Sequence, residues 1–261
     1  MGILNVTPDS FSDGGKYYNL DNAIEYALEL ANQGVDIIDV GGESTRPGAK
    51  AISLNDEINR VIPVIKGIRS VSSIPISIDT YKSEVAQKAL DSGANIINDI
   101  SGLNFDSKMI DIVKEYNVPL VIMHIKGTPM NMQVNPHYDN IIDEIISYFE
   151  KRINLCLDYG IPKTHIILDP GIGFGKQLND NFILIRKLNL FAELGYPILI
   201  GPSRKSFIGL TLDLPVNDRL EGTSAVITAS IMNGARIIRV HDVLEMKRVQ
   251  IISDKIRGAT T

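Results

Sequence analysis

Residues 75–100 read PISIDTYKSEVAQKALDSGANIINDI, and the order of patterns in this stretch decides the fold. Two short apolar runs, PISID and NIINDI, are rich in Ile and apolar on both faces, as strands buried inside a parallel sheet require. Between them, SEVAQKALDSG carries apolar residues at the spacing of one helix face, at Val85, Ala86, Ala89 and Leu90. Gly93 follows at the usual C-terminal cap position of a helix. The stretch therefore predicts a strand, a helix and a second parallel strand.

The same pattern recurs along the whole chain of 261 residues. The other apolar runs with the character of buried strands are GILNV (2–6), VDIIDV (35–40), PLVIMH (119–124), HIILDP (165–170), PILIGP (197–202) and RIIRVH (236–241). Eight candidate strands, each followed by a helical pattern, predict a single α/β domain over residues 1–261, a (β/α)8 TIM barrel. An open, doubly wound sheet is the alternative, because closure of the sheet is not visible in the sequence.

Composition narrows the classes of partner. Lys and Arg number 26 and Asp and Glu 31, so the formal net charge of −5 gives no electrostatic basis for binding nucleic acid or an anionic membrane. Hydrophobic residues make up 44%, enough for a large core, but no apolar run approaches the roughly 20 residues of a membrane span. The one cysteine, Cys156, falls on a helical apolar pattern, so we expect a packed core thiol and a reducing, cytoplasmic location.

Polar residues occupy the ends of the predicted strands, where barrel enzymes place their catalytic groups. Helix capping explains one polar residue per loop, but not a carboxylate or amide inside an apolar run. Asp79, Asn98 and Asp169 occur in such runs, and an unpaired polar group inside the barrel is costly. We therefore expect these three side chains to converge on a polar ligand. With Lys205 as a donor, the set suits a flat heterocycle edged with amino, ring N–H and carbonyl groups.

Cationic side chains near the same strand ends indicate a second kind of ligand group. Arg239 and His241 end the eighth strand, and Arg46 lies in the loop GGESTRPG (41–48) after the second strand. Such donors suit a phosphate or diphosphate, which barrels often bind near the loops after strands 7 and 8.

The segment DPGIGFGK (169–176) invites comparison with nucleotide-binding loops, but its spacing fits neither kind. Lys176 stands where the dinucleotide fingerprint needs Gly, and Pro170 and Gln177 stand where a P-loop needs Gly and Ser or Thr. We interpret its glycines as a flexible lip over a ligand, with Phe174 as an aromatic wall.

The end of the first strand carries a metal prediction and a loop prediction. The histidines show no paired spacing that favours zinc, whereas Mg²⁺, which takes oxygen ligands and often shares substrate phosphates, is compatible with Asn5. After Asn5, the segment NVTPDSFSDGG (5–15) consists mostly of turn-forming and small polar residues. We expect residues 7–11 to form a mobile lid over the barrel mouth, hinged at Gly14 and Gly15.

Seven polar segments occur in order between residues 5 and 243, namely NVTPDSFSDGG, GGESTRPG, SIDT, INDISG, LDPGIGFGK, SRKSFIG and RVHDV. Together they resemble the dihydropteroate synthases, of the pterin-binding barrel family. The resemblance implies condensation of a dihydropterin-CH₂-diphosphate with p-aminobenzoate, which releases diphosphate and forms dihydropteroate for folate synthesis. It also implies Mg²⁺ as a cofactor, a homodimer, and membership of an enzyme class that sulfonamides target.

The resemblance assigns roles residue by residue. The side chains it assigns to the pterin are Asp79, Asn98, Asp169 and Lys205. Those it assigns to the diphosphate are Asn5, which also ligates Mg²⁺, and Thr45, Arg46, Arg239 and His241. Those it assigns to p-aminobenzoate are Arg46, Pro47, Phe174, Lys205 and Ser206. The residues it implies for catalysis are Asn5, Asp79, Asp169, Lys205, Arg239 and His241.

Three alternatives share part of this pattern. A methyltransferase that passes a methyl group from methyltetrahydrofolate to a corrinoid protein shares the barrel and the pterin-binding side chains, but needs no diphosphate clamp. Lys205 at the end of strand 7 also suits a Schiff-base aldolase. A non-catalytic pterin-binding protein is expected to lose loop residues such as Asn5 or Arg46, and both are present. Because family members usually carry residues before the first strand, we expect a less well plugged barrel bottom or a piece of a longer polypeptide.

Overall fold

Strands and helices alternate within residues 1–7 and 20–260, which the computed structural model of the chain describes. The strands are β1 (Gly2–Asn5), β2 (Ile38–Gly41), β3 (Ile76–Asp79), β4 (Ile96–Asp99), β5 (Leu120–Met123), β6 (Ile166–Asp169), β7 (Ile198–Ile200) and β8 (Ala235–Ile238). The helices are α1 (Leu20–Asn32), α2 (Leu54–Val71), α3 (Ser83–Asp91), α4 (Met109–Tyr116), α5 (Ile141–Asp158), α6 (Leu178–Arg186), α7 (Leu188–Ala192), α8 (Ser206–Leu212), α9 (Leu220–Met232) and α10 (Val243–Arg257).

The sheet closes on itself. Each strand pairs in parallel with the next one along the chain, in the order β1 to β8. Beyond β8, Val240 bridges to Gly2 of β1 in parallel. Its carbonyl accepts the Ile3 N–H at 3.0 Å and its own N–H donates to Met1 O at 3.0 Å. The barrel prediction is confirmed, and the open doubly wound alternative is wrong, because that fold reverses its strand order and leaves two edges.

The barrel interior divides into an apolar layer and a polar layer. Near the amino ends of the strands, five buried apolar side chains pack together: Met1, which precedes β1, and Ile96, Val121, Ile167 and Leu199 from four different strands. Because alternate residues of a strand share a face, the positions two residues further along also point inward. Those positions include Asn98 and Asp169, and the same step from Ile37 and Ile237 leads to Asp39 and Arg239. The strand period thus places a charged layer directly above an apolar one.

The outward faces of the strands form the main core with the surrounding helices, through residues such as Ile78, Ile97 and Leu168. Cys156 of α5 is fully buried in this core, as predicted, and burial raises the pKa of its thiol to about 12. In the described part of the chain, no helix combines the length and apolarity needed to cross a bilayer.

Candidate active site

The register of the sheet brings the predicted polar residues to one level at the carboxyl end of the barrel. Asn5 pairs with Gly41, Gly41 with Asp79, and Asp79 with Asn98, across four neighbouring strands. On the other side, Asp169 of β6 pairs with Met123 of β5. The predicted residues therefore lie at the carboxyl ends of their strands, with Asp79 and Asn98 as direct neighbours, and their convergence on one ligand stays a prediction.

An ion cluster joins three strands inside this end of the barrel. The Arg239 guanidinium donates from Nε to Asp39 Oδ2 at 2.6 Å and from Nη2 to Asp79 Oδ2 at 2.7 Å. Asn98 Nδ2 lies 3.2 Å from the same Asp39 oxygen. Asp39 is fully buried, and sequence reasoning did not assign it to the site. The signal was available, because Asp39 stands inside the apolar run VDIIDV just as Asp79 stands inside PISID.

Burial changes the protonation of the carboxyl groups in this cluster. Removal from water raises the pKa of Asp79 to about 7, against the lowering effect of Arg239 and with the added repulsion of Asp39. Burial also raises the pKa of Asp169, although the Gly171 N–H that bonds to its carboxylate at 2.7 Å opposes the shift. With a pKa near 7, Asp79 can serve as a donor or as an acceptor near neutral pH.

Lys205 meets the loop after β6 at the barrel mouth. Its Nζ donates to the Ile172 carbonyl and lies 4.3 Å from the centre of the Phe174 ring. Burial lowers the pKa of Lys205 to about 7, and the nearby Asp169 carboxylate opposes that shift. The structure thus brings together the lysine, the carboxylate and the aromatic ring that the sequence analysis placed in one pocket.

The loop after β6, residues 170–177, is packed rather than free. A Cβ atom at Gly171 would lie 2.0 Å from the His124 carbonyl oxygen, and Gly171 has a φ of +70°. The buried Lys176 Nζ donates to the carbonyls of His124 and Phe174, each at 3.0 Å, and lies 2.8 Å from His124 Nδ1. The glycines permit this close backbone contact, so the predicted lip is packed against His124, and its flexibility stays a prediction. Sequence reasoning also missed Lys176 and His124, which no local pattern links.

His241 supplies a neutral donor rather than the cation expected from the sequence. Its Nδ1 lies 3.1 Å from Ser203 Oγ, and its backbone N–H donates to the same hydroxyl at 3.2 Å. Burial, followed by repulsion from Arg239, lowers the pKa of His241 to about 4. At neutral pH the ring can therefore bind an anion through an N–H but not through a positive charge.

The predicted residues of the loop after β2, residues 42–53, lie at the rim. Thr45 is half-buried, whereas Arg46 and Pro47 are exposed, and Ser206 is exposed at the start of α8. Within the described ranges, the Arg46 side chain makes no hydrogen bond or ion pair with the cluster around Arg239. Arg46 lies close enough to His241 for its charge to contribute to the lowered pKa of that histidine. The predicted lid, except for Thr7, lies outside the described residues.

One carboxylate anchors the base of that loop. Glu43 accepts hydrogen bonds from Tyr81 Oη at 2.8 Å, from Lys82 Nζ at 2.6 Å and from the Ile52 N–H at 3.1 Å. Lys82 Nζ also contacts Glu57 Oε2 at 2.5 Å, and Glu57 is buried. Glu43 therefore ties the start of the loop to the segment between β3 and α3, and Lys82 links that segment to α2.

The fold and the site together define a class, a (β/α)8 barrel enzyme that binds a polar heterocycle with buried carboxylate, amide and lysine groups. The family model "Pterin binding enzyme" matches residues 1–241. The dihydropteroate synthase of Clostridium beijerinckii is 49% identical over 257 residues, covering 98% of this chain and 93% of the relative.

Solved structures show the same relationship. The Yersinia pestis dihydropteroate synthase, in complex with a sulfonamide drug, superimposes with a TM-score of 0.94 and 41% identity, covering 99% of this chain and 94% of that one. The Xanthomonas albilineans dihydropteroate synthase, with 4-aminobenzoic acid, superimposes with a TM-score of 0.93 and 40% identity, covering 100% of this chain and 93% of that one. The chain therefore belongs to the dihydropteroate synthase family of transferases, and the resemblance inferred from the sequence is confirmed.

Proposed function

We propose that the protein condenses 6-hydroxymethyl-7,8-dihydropterin diphosphate with p-aminobenzoate, giving 7,8-dihydropteroate and diphosphate for folate biosynthesis. Family membership supports this reaction. The observation that carries it is the convergence of Asp79, Asn98, Asp169 and Lys205 at the carboxyl end of the barrel, where such enzymes act.

The pterin contacts the buried set in this proposal. The amino and ring N–H groups of a pterin donate hydrogen bonds, which the Asp169 and Asp79 carboxyl groups accept. The pterin carbonyl accepts a hydrogen bond from Lys205. Asn98 offers an acceptor and a donor on one amide. Lys205 has its pKa lowered to about 7, so it can gain or lose a proton near neutral pH when the ligand binds.

The diphosphate leaves toward the charged side of the mouth. Arg239 and His241 donate to the departing oxygens, and Thr45 and Arg46 approach from the loop after β2. The amine nitrogen of p-aminobenzoate then bonds to the pterin methylene carbon while the carbon–oxygen bond to diphosphate breaks. The amine loses one proton to solvent. Because an aromatic amine is already nucleophilic, we assign no general base.

The donors at the site fit a magnesium ion that arrives with the diphosphate. In the described residues, no group of three or more His, Cys, Asp or Glu could hold a metal by itself. A single amide oxygen from Asn5, together with phosphate oxygens and waters, matches the way proteins usually bind Mg²⁺. When bound, the ion would neutralise charge that develops on the leaving diphosphate.

The p-aminobenzoate binds at the rim in this proposal. Ser206 begins α8, and the N-terminus of a helix suits a carboxylate. Phe174 and Pro47 form the walls, with Arg46 and Lys205 nearby. Closure of the rim excludes water, which otherwise competes with the amine for the pterin carbon.

We also propose one domain over residues 1–261 that acts as a homodimer in the cytoplasm. Exposed apolar side chains on α10, at Ile251, Ile252 and Ile256, support a subunit interface on the outer helices. The buried, unpaired Cys156 thiol requires no oxidising compartment.

The direct test is turnover. The protein is incubated with the pterin diphosphate, p-aminobenzoate and Mg²⁺, and dihydropteroate and diphosphate are measured. We expect both products in equal amounts, and a large loss of both when Mg²⁺ is omitted or Asn5 is replaced by Ala. Equal turnover by Arg239→Ala with intact pterin binding would show that the assignment of the diphosphate side is wrong.

A further inference from the structure

One buried carboxylate has no role in the proposed reaction, although it contacts two side chains that do. Asp39 accepts a hydrogen bond from Arg239 Nε at 2.6 Å. Asn98 Nδ2 lies 3.2 Å from Asp39 Oδ2 and 3.4 Å from Oδ1. Asp39 is 0% exposed, and its register position is two residues below Gly41, which pairs with Asp79. Asp39 therefore lies one step deeper in the barrel than the carboxyl group assigned to the pterin.

The contact with Asp39 determines which way the Asn98 amide points. An ion-paired carboxylate accepts hydrogen bonds and donates none, so Asn98 must turn its NH₂ group toward Asp39. The reverse orientation would place the Asn98 carbonyl oxygen against two carboxylate oxygens in a buried site. The amide oxygen and one N–H then remain for a ligand, in a fixed order. A freely rotating amide would present its donor and its acceptor in either arrangement, and would therefore discriminate less between the edges of different heterocycles.

The Asp39 carboxylate is also a counter-ion for Arg239 that a ligand need not displace. Arg239 also bonds to Asp79 at 2.7 Å, and Asp79 is the shallower of the two carboxyl groups. When Asp79 turns to a ligand, Asp39 still pairs with the guanidinium and keeps it in place. Without Asp39, Arg239 would depend on Asp79 alone, and ligand binding would compete directly with that ion pair.

We propose that Asp39 is a positioning residue for the pterin diphosphate, acting through Asn98 and Arg239 without touching the substrate itself. This inference rests on the proposed function, since it concerns recognition of that substrate. It predicts that a neutral substitution at position 39 disturbs the pterin side through both neighbours and leaves the p-aminobenzoate side unchanged.

The test compares Asp39→Asn with the matched variant Ser77→Ala in the full chain. Ser77 pairs in register with Asp39, is fully buried, and its Oγ has no hydrogen-bond partner among the described residues. We expect the KM for pterin diphosphate to rise roughly tenfold or more in Asp39→Asn, the scale of a lost charge-assisted hydrogen bond. The KM for p-aminobenzoate should stay within about twofold, as should both constants in Ser77→Ala. Equal changes in both KM values would overturn the proposal.

A double-mutant cycle separates action through Asn98 from a general effect. If Asp39 orients Asn98, then Asp39→Asn should weaken pterin binding less in an Asn98→Ala background than in the wild type. Strict additivity of the two substitutions would overturn this part of the proposal.

The pH profile gives a readout that a purely structural role would not move. The Asp39 charge contributes to the raised pKa of Asp79, so Asp39→Asn should shift the pH dependence of pterin binding to lower pH. The charged groups that still face Asp79 after the substitution are Arg239, Lys205, Glu57 and Asp99. An unshifted profile would count against the proposal.

The wild-type protein decides the matter if Asp39→Asn does not fold. In a crystal structure with bound pterin, we expect Asp39 to keep its hydrogen bonds to Asn98 and Arg239 and to lie beyond about 3.5 Å of any pterin atom. Direct contact between Asp39 and the pterin, or loss of both hydrogen bonds, would overturn the proposal. If the wild-type protein shows no turnover, the proposed function is wrong. If the wild-type protein turns over and Asp39→Asn has the same KM for pterin diphosphate as Ser77→Ala, only the positioning role is wrong.

Discussion

The loops after β2 and β6 both carry residues assigned to the substrates, yet they are held in opposite ways. The loop after β6, residues 170–177, packs backbone on backbone, with Gly171 against the His124 carbonyl and Lys176 bonded to two carbonyls. The loop after β2, residues 42–53, is held at Glu43 by side-chain contacts and near its tip by one hydrogen bond from the Gly48 N–H to the Pro129 carbonyl at 2.9 Å. Its tip leaves Arg46 exposed.

This difference matches the tasks proposed for the two loops. A heterocycle is recognised by hydrogen bonds of fixed direction, so the loop that presents Asp169 and Phe174 benefits from rigid packing. A leaving diphosphate changes its charge and position during the reaction, so residues such as Arg46 need freedom to follow it. Three predictions follow from this comparison, from the largest expected effect to the smallest.

The largest effect is expected from a side chain inserted into the packed loop. Gly171→Ala combines a φ of +70° with a Cβ atom 2.0 Å from the His124 oxygen. We expect a loss of about 3 kcal/mol or more in the free energy of unfolding, from left-handed strain and overpacking, together with weakened pterin binding. Urea unfolding and a pterin titration measure the two effects.

The matched control is Gly48→Ala in the loop after β2. Gly48 has a similar φ of +79°, but no atom of the described residues lies within 4 Å of its added Cβ. We expect a loss of about 1 kcal/mol from left-handed strain alone, with unchanged pterin binding. Equal losses at the two glycines would contradict the difference in packing between the loops.

A smaller effect is expected from acid, through the histidine packed against Lys176. Burial lowers the pKa of His124 to about 2, so the folded protein leaves this ring neutral while the unfolded chain protonates it near pH 6.5. Its contribution to stability is therefore complete above about pH 6.5 and is lost on acidification, at up to about 1.4 kcal/mol per pH unit. Asp79, whose pKa is raised to about 7, has the opposite effect, because its contribution to the free energy of unfolding is lost as the pH rises.

A variant separates the contribution of His124 to the pH dependence of stability from that of the carboxyl groups. In His124→Asn, the amide oxygen replaces Nδ1 as the acceptor for Lys176. The difference in unfolding free energy between wild type and variant should narrow as the pH falls from 6.5 to 4.5, measured by urea unfolding at each pH. His137→Asn, whose ring is mostly exposed, is the control and should follow the wild-type curve. A constant difference for His124→Asn would contradict the prediction.

The smallest effect is expected at Glu43, which anchors the loop after β2. Tyr81→Phe removes the hydroxyl that donates to Glu43 at 2.8 Å, while Lys82 and the Ile52 N–H still hold the carboxylate. We expect a loss of about 1 kcal/mol in stability and a KM for p-aminobenzoate raised a few-fold, with pterin binding unchanged. Steady-state kinetics with each substrate varied gives the result. Tyr159→Phe, at the exposed C-terminal end of α5, is the control, and a larger effect on pterin than on p-aminobenzoate would contradict the assignment.

Residues inside the apolar strands were the predictable part of the site. Asp79 and Asn98 stand in Ile-rich runs, so their polarity is conspicuous, and the register confirms that they are neighbours. Asp39 has the same pattern in VDIIDV but is distinguished only when the pairing shows that it meets Arg239, 200 residues away in sequence. Polarity within a strand is visible locally, whereas the partner of a buried charge is not.

The charge states at the mouth could not be predicted from residue type. His241 was expected to be a cation, but burial lowers its pKa to about 4, and desolvation depends on atoms contributed by several strands. Likewise, Lys176 bonds to His124 across 52 residues, which turned a predicted flexible lip into a packed loop.

The sequence by itself determined the alternation of strands and helices and the family, because strand and helix periods and loop motifs are local properties of the chain. The tertiary structure decided that the sheet closes through Val240 and Gly2, that Asp39 contacts Asn98 and Arg239, and that the loop after β6 packs against the residue that follows β5. These features depend on contacts between residues far apart in the chain, and on water excluded where they meet. No local pattern encodes either.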